Sequence, residues 1–290
     1  MLTKKEIRRR MNAKLLQLPD GRVDVLKFVV DFSNLGLTSL KELPIKLRRV
    51  YANFDCSGNQ LTSLEGCPEY VAGDFICSYN QLTSLKGAPE CVDGDFICIQ
   101  NKLTTLEGAP DYVSGTFNCS DNQLITLKGG TPYIERDFIC SYNQLTSLEG
   151  APGFVGGNFY CSNNRLTTLK GAPKRVGGDF YCSHNRLTTL KGAPKRGVVS
   201  FDCSHNPLTT LKGAPEYVKG TFNCSYTLIT SLKGAPRRVK GSFDCCDTRL
   251  ITLEGAPEYI GVYFISNTKT FTEEEIRRVT KVKKVFLYLY

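Results

Sequence analysis

The sequence predicts a repeat solenoid built mainly of extended chain. Three observations carry that expectation. A phenylalanine recurs every 21 residues from Phe54 to Phe264 without a slip in register. Behind each one, apolar and polar residues alternate at the period of a strand. A glycine and a proline then punctuate each unit against regular helix.

The unit reads F-x-C-S-x-N-x-L-T-[ST]-L-x-G-A-P-x-x-V-x-G-x, as in Phe159 to Asp179, and ten complete copies run from Phe54 to Tyr263. A degenerate copy precedes them, in which Val30, Phe32, Leu37, Leu40 and Pro44 hold the corresponding places before a three-residue insertion delays Phe54. At positions one and three, Phe and Cys share one face of a strand and point inward. The Asn at position six is suited to bonding backbone groups of its own turn and of adjacent coils. Leucines at positions eight and eleven give the next buried points. Gly at position thirteen is present in all ten copies and Pro at fifteen in nine, so the return segment is expected to be extended and poor in helix. One coil cannot bury its own apolar face, so neighbours must stack with parallel strands about 4.8 Å apart.

The ends read as caps. Residues 1–29 are expected to form an N-terminal helical cap, with Thr3 and Glu6 as a capping box and Ile7, Met11 and Leu15 on one helical face. The solenoid then occupies 30–265. Residues 266–290 form a C-terminal cap of helix plus strand, in which Thr272 and Glu275 repeat the box and Val285 to Tyr290 make a final strand.

The run Phe-x-Cys-x-x-Asn-x-Leu, with Leu61-Thr62-Ser63-Leu64 and the phrase Leu37-Thr38-Ser39-Leu40-Lys41-Glu42-Leu43-Pro44, resembles the short leucine-rich repeats of secreted bacterial effectors and of related repeat proteins from bacteria and large phages. The resemblance implies a right-handed horseshoe with a parallel sheet on its concave side and a role in recruiting protein partners. This chain departs from the pattern in its 21-residue period, in Phe and Cys where aliphatics are usual, and in Gly-Ala-Pro on the return segment. The ubiquitin-ligase domain that follows such repeats in some effectors is not carried over, because only Ser266 to Tyr290 follow the array.

Composition narrows the function classes. A hydrophobic content of 41% and a charged content of 22% suit a folded soluble chain, and no apolar run is long enough to span a bilayer, so no membrane role is expected. The basic, polar stretch Met1 to Lys14 lacks the apolar core of a secretory signal, which favours a cytoplasmic protein. Of thirteen cysteines, ten share position three, a pattern of reduced core thiols rather than of disulfides or a metal site. The net charge of +9 favours acidic partners without choosing among them. No acid, base and nucleophile converge in the repeat, so neither catalysis, a cofactor nor a small-molecule substrate is expected.

The candidate site is instead the concave face. Position two points outward and carries Ile76, Ile97, Ile139, Tyr160 and Tyr181, with Tyr79 and Tyr142 at position five, an apolar and aromatic stripe of the kind that anchors protein interfaces. His184 and His205, the only histidines, hold position five of successive coils and extend it. The competing reading is that such residues merely suit strands. A second candidate is a basic ridge in coils six and seven, formed by Arg165, Lys170, Lys174, Arg175, Arg186, Lys191, Lys195 and Arg196. That ridge makes nucleic-acid binding the alternative function, with Tyr160 and Tyr181 available to stack on unpaired bases.

Overall fold

The computed structural model describes residues 15–27, 29–267 and 270–288. Of the helical cap expected over 1–29, residues 1–14 with Thr3, Glu6, Ile7 and Met11 lie outside them, and Leu15, expected on its helical face, begins a strand, Leu15–Gln17, instead. The chain divides into two compact units, one running to Gln144 and including Gly150–Pro152, the other Leu145–Glu149 with Gly153–Tyr290.

Each unit is a stack of parallel two-residue strands. In the first, Val30–Asp31, Phe54–Asp55, Phe75–Ile76, Phe96–Ile97, Phe117–Asn118 and Phe138–Ile139 pair in sequence order, with Val30 opposite Phe54 and Phe opposite Phe thereafter. In the second, Phe159–Tyr160, Phe180–Tyr181, Phe201–Asp202, Phe222–Asn223 and Phe243–Asp244 do the same and end on Tyr259–Ser266. The phenylalanines are fully buried, and their ring centroids stand 5.0 to 5.9 Å apart along both stacks.

The return segment is extended, but it holds a second sheet that the sequence reading did not foresee. Positions seventeen and eighteen form further parallel pairs, such as Tyr70–Val71 with Cys91–Val92, and Tyr112–Val113 with Tyr133–Ile134. The valine or isoleucine of each pair is buried and the preceding residue faces out. A dipeptide with one buried residue has no period to detect, so the sequence pointed to an extended return but not to a sheet within it. In coil seven, where Gly197-Val198-Val199 replaces Val-x-Gly, this sheet narrows to a single bridge between Arg175 and Arg196.

Between the two sheets the coils are locked by side chains that repeat with the backbone. The position-six asparagines are buried; Asn122 Nδ2 donates to the carbonyls of Cys98, Cys119 and Ser120 at 3.0 to 3.2 Å, while its Oδ1 accepts from Leu103 N at 3.1 Å. A second ladder runs at position twenty-one, where Asp74 Oδ1 accepts from Asp95 N and Asp95 Oδ1 from Thr116 N. At position thirteen the coils touch backbone to backbone: Gly108 has φ +85°, and a Cβ there would lie 2.5 Å from Lys86 N. Where Thr131 replaces the proline of coil four it is buried, and its hydroxyl donates to Pro110 O at 2.7 Å.

Both ends of the array differ from its middle. Leu15–Gln17 pairs antiparallel with Val23–Val25, which joins the second sheet through Leu47–Val50. At the other end Tyr259–Ser266 pairs with both sheets of its unit, and Lys281–Leu287 adds beside it. The connecting helix Glu273–Val279 starts at a reciprocal Thr272/Glu275 capping box and buries Ile276. The last strand begins four residues before the Val285 suggested by hydropathy, because Val282 packs inward within a lysine-rich stretch.

Gly108→Ala should therefore cost about 2 kcal/mol or more, from a strained backbone and a forced shift of the preceding coil. Gly153→Ala, where a Cβ meets nothing within 4 Å and φ is not positive, should be neutral. Urea unfolding midpoints of the two variants check the contrast, and equal midpoints would contradict the close-approach account.

Candidate functional site

The outer face of the phenylalanine strands is formed by positions two and five, since most position-four residues, such as Ser78 and Ser204, are buried. Position two alternates with buried Phe and Cys, so its residues face outward; Ile76, Ile97, Ile139, Tyr160 and Tyr181 are all half-buried. In the first unit, strand pairing sets Ile76 beside Ile97, and Asn118 between Ile97 and Ile139. In the second, Tyr160 and Tyr181 stack with centroids 4.9 Å apart and planes within 5°. Their hydroxyls are also held: Asn158 Nδ2 donates to Tyr160 Oη at 3.2 Å, and Tyr181 Oη donates to Asp179 at 2.9 Å. Burial and then that carboxylate push the Tyr181 phenol up to about 12, so it stays a donor at neutral pH.

Position five has a property that residue types alone did not disclose. Every described residue there is left-handed, with φ between 50° and 65° from Gly58 through Asp247. The turn out of the strand requires it. This explains why most of the column holds Gly, Asn, Asp or His, which tolerate that region, with Gln100 an exception. It does not explain Tyr79, Tyr142 and Tyr226, bulky residues that adopt it only at a cost. All three are exposed, at 58%, 57% and 53%. Tyr79 and Tyr142 stand three coils apart and form separate points.

Tyr226, which was not among the sequence candidates, completes a column with the histidines. His184 and His205 stack at 4.1 Å, and His205 and Tyr226 at 4.3 Å, with planes within 11°. Burial, followed by the neighbouring His184, holds His205 below the ordinary imidazole value of 6.5, while Asp202 and Asp247 oppose that shift. A single missing signal concealed Tyr226: its column becomes aromatic only when three successive coils are aligned.

The basic residues fall on three lines rather than one ridge. Arg165 and Arg186 follow the left-handed turn, Lys170 and Lys191 sit before the glycine, and Lys174, Arg175, Lys195 and Arg196 lie at the second sheet; all eight are exposed. Several are engaged already. Lys170 pairs with Glu149 at 2.6 Å, Lys195 Nζ donates to Gly213 O at 2.8 Å, and Arg175 lies 5.7 Å from the Phe154 ring centroid.

The position-three cysteines face the core, and Cys119 and Cys182 Sγ donate to carbonyls of the next coil at 3.4 and 3.3 Å. Burial pushes thiols such as Cys98, Cys182 and Cys203 well up, which opposes the thiolate that reactivity or metal ligation needs. Among the described residues, no three His, Cys, Asp or Glu side chains converge as metal ligands, and no helix is long and apolar enough to cross a membrane.

No family model and no curated protein matches the chain. Among solved structures it is similar to YopM from Yersinia enterocolitica, at 21% sequence identity and a TM-score of 0.55, over 89% of this chain and 62% of that one. The chain folds as a leucine-rich-repeat solenoid. It is also similar to YopM of Yersinia pestis, described as a leucine-rich effector protein, at 22% identity and a TM-score of 0.45, over 80% of this chain and 76% of that one. This leucine-rich-repeat chain spans about three-fifths of the length of the first of these proteins.

Because the folded His205 releases its proton more readily than the unfolded one, the unfolded state binds more protons below about pH 6.5. Stability should accordingly fall as pH drops through that value, and the fall should shrink in His205→Gln, since Gln100 already fits the same left-handed position. Melting temperatures of both proteins at pH 7.5 and 5.5 test this; an identical pH response would contradict it.

Proposed function

We propose that this protein is a non-catalytic recognition scaffold that binds a cellular or host protein through the outer face of its phenylalanine strands, and thereby inhibits or recruits it. The observation that carries the reading is the set of exposed tyrosines held in left-handed backbone at position five. Strain of that kind at Tyr79 and Tyr142, in a column that otherwise holds mostly compatible residues, calls for a benefit to offset it. Recognition supplies one. In the second unit, Tyr160 and Tyr181 offer stacked rings whose rotamers are already fixed by hydrogen bonds, so little side-chain entropy is lost on binding. Tyrosine-rich, half-exposed faces of this type are where interface energy concentrates.

The reading includes a cytoplasmic location in the producing or infected cell, which a chain without a long apolar helix among its described residues permits. The nucleic-acid alternative gains no support. Its cations are dispersed over three lines and partly paired.

Two results are expected. Tyr160→Ala with Tyr181→Ala should weaken capture of the partner from host lysate by roughly tenfold or more, with nuclease treatment making no difference. Capture that survives the double variant, or that vanishes with nuclease, would remove the assignment. Tyr79→Asn and Tyr142→Asn should each stabilise the fold by about 1 kcal/mol in urea unfolding, because Asn suits the left-handed region, while partner affinity falls. If the variants instead lose stability, those tyrosines serve the fold and not recognition.

A further inference from the structure

From coil one to coil ten the outer side of the second sheet changes from acidic to basic, while the strand Leu47–Val50 that precedes coil one carries an exposed Arg49 over the Tyr70 ring at 5.9 Å. Positions sixteen, seventeen and nineteen of the first four coils carry five carboxylates, Glu69, Glu90, Asp93, Asp111 and Glu135, and no Lys or Arg. In coils five to ten the same positions carry eight Lys or Arg and two carboxylates, Glu216 and Glu258. The cations begin with the pairs Lys174–Arg175 and Lys195–Arg196 and recur at Lys219, Arg237, Arg238 and Lys240. All of these charged side chains are exposed.

Few of the charges are cancelled locally. Glu69 pairs with Arg22, and Arg237 with Glu258 at 2.7 Å. Asp93 and Glu135 accept hydrogen bonds from the phenols of Tyr70 and Tyr112, which are neutral donors and leave the carboxylate charge in place. Position seventeen on the acidic face adds rings: Tyr112 and Tyr133 are 37% and 44% exposed. On the basic face guanidinium groups already sit over rings, Arg175 at 5.7 Å from Phe154 and Arg238 at 5.3 Å from Tyr259. Neighbouring position-seventeen columns thus have the spacing for Arg to meet an aromatic ring, an arrangement also favoured between chains.

Like charges lined up on one face repel, and that cost is relieved by an opposite face of equal spacing. Both faces are built on the same 21-residue coil with the same strand spacing, so the acidic row and the basic row match in pitch. We infer that the acidic, tyrosine-bearing second-sheet face of one copy docks on the basic face of a second copy. The contact joins two different surfaces, so it is head-to-tail and leaves one face of each kind free at the ends of the assembly. It uses the second-sheet columns and not the tyrosine and histidine columns, and it stands independently of the recognition role.

The test is sedimentation velocity on the full chain and two variants. One variant, Glu90→Lys with Asp111→Lys, spoils the acidic face; the other, Arg175→Glu with Arg196→Glu, spoils the basic face. Wild type should associate in a concentration-dependent way at low ionic strength, and its apparent affinity should fall roughly tenfold or more between about 50 and 300 mM salt. Each variant alone should sediment as a monomer with an unchanged circular dichroism spectrum. An equimolar mixture should give a dimer and nothing larger, because one partner keeps an intact basic face and the other an intact acidic face. A wild type that stays monomeric at low salt overturns the inference, whether or not its basic face takes up nucleic acid. So does a mixture that fails to dimerise, or a single variant that assembles like wild type.

Discussion

Consecutive coils are hydrogen-bonded backbone to backbone at two places per turn, and this sets them one strand spacing apart, about 4.8 Å. The other regularities of each unit follow from that distance. An inward residue must pack on a copy of itself, so Phe stacks on Phe and the narrow space beside it takes a cysteine, a small side chain without a strong polar demand. Where the chain turns, its carbonyls point inside and need donors at the same repeat, which the Asn at position six supplies in both its own coil and the previous one. Where two backbones touch, only glycine fits.

The same constraint decides where variation is available. Columns one, three, six, eight, eleven, thirteen and eighteen are committed to the stack. Positions two, five, seven, twelve, sixteen and seventeen are outside it, and the chain uses them differently: rings and histidines beside the phenylalanine strands, salt bridges such as Lys86 with Glu107 at position twelve, and segregated charge on the second sheet. Position five is intermediate, since its side chain is free but its backbone is not. A tyrosine there signals a demand from outside the fold more clearly than one on an ordinary strand position.

Much of this was legible in the residues. The unbroken period of Phe54 to Phe264 states both the coil length and the number of strands, and the inward direction of the cysteines follows from their offset of two. The outward stripe of Ile76, Ile97, Ile139, Tyr160 and Tyr181 follows from the same parity. What sequence could not convey was backbone conformation and lateral contact. Nothing in the letter Tyr at 79 or 142 declares a φ near 57°, and the valine strand is too short to announce itself by periodicity. The basic residues of coils six and seven read as one ridge because they are close in sequence, whereas the fold distributes them over three lines and makes their acidic counterpart, in coils one to four, the more informative comparison.

The measurement that tests the central claim most directly is amide hydrogen exchange of the protein with and without its captured partner. Recognition through the phenylalanine-strand face predicts new protection at the turns that carry His184, His205 and Tyr226, with little change around Lys174–Arg175 and Lys195–Arg196. Protection confined to the second sheet, with the His184 to Tyr226 turns unchanged, would contradict it.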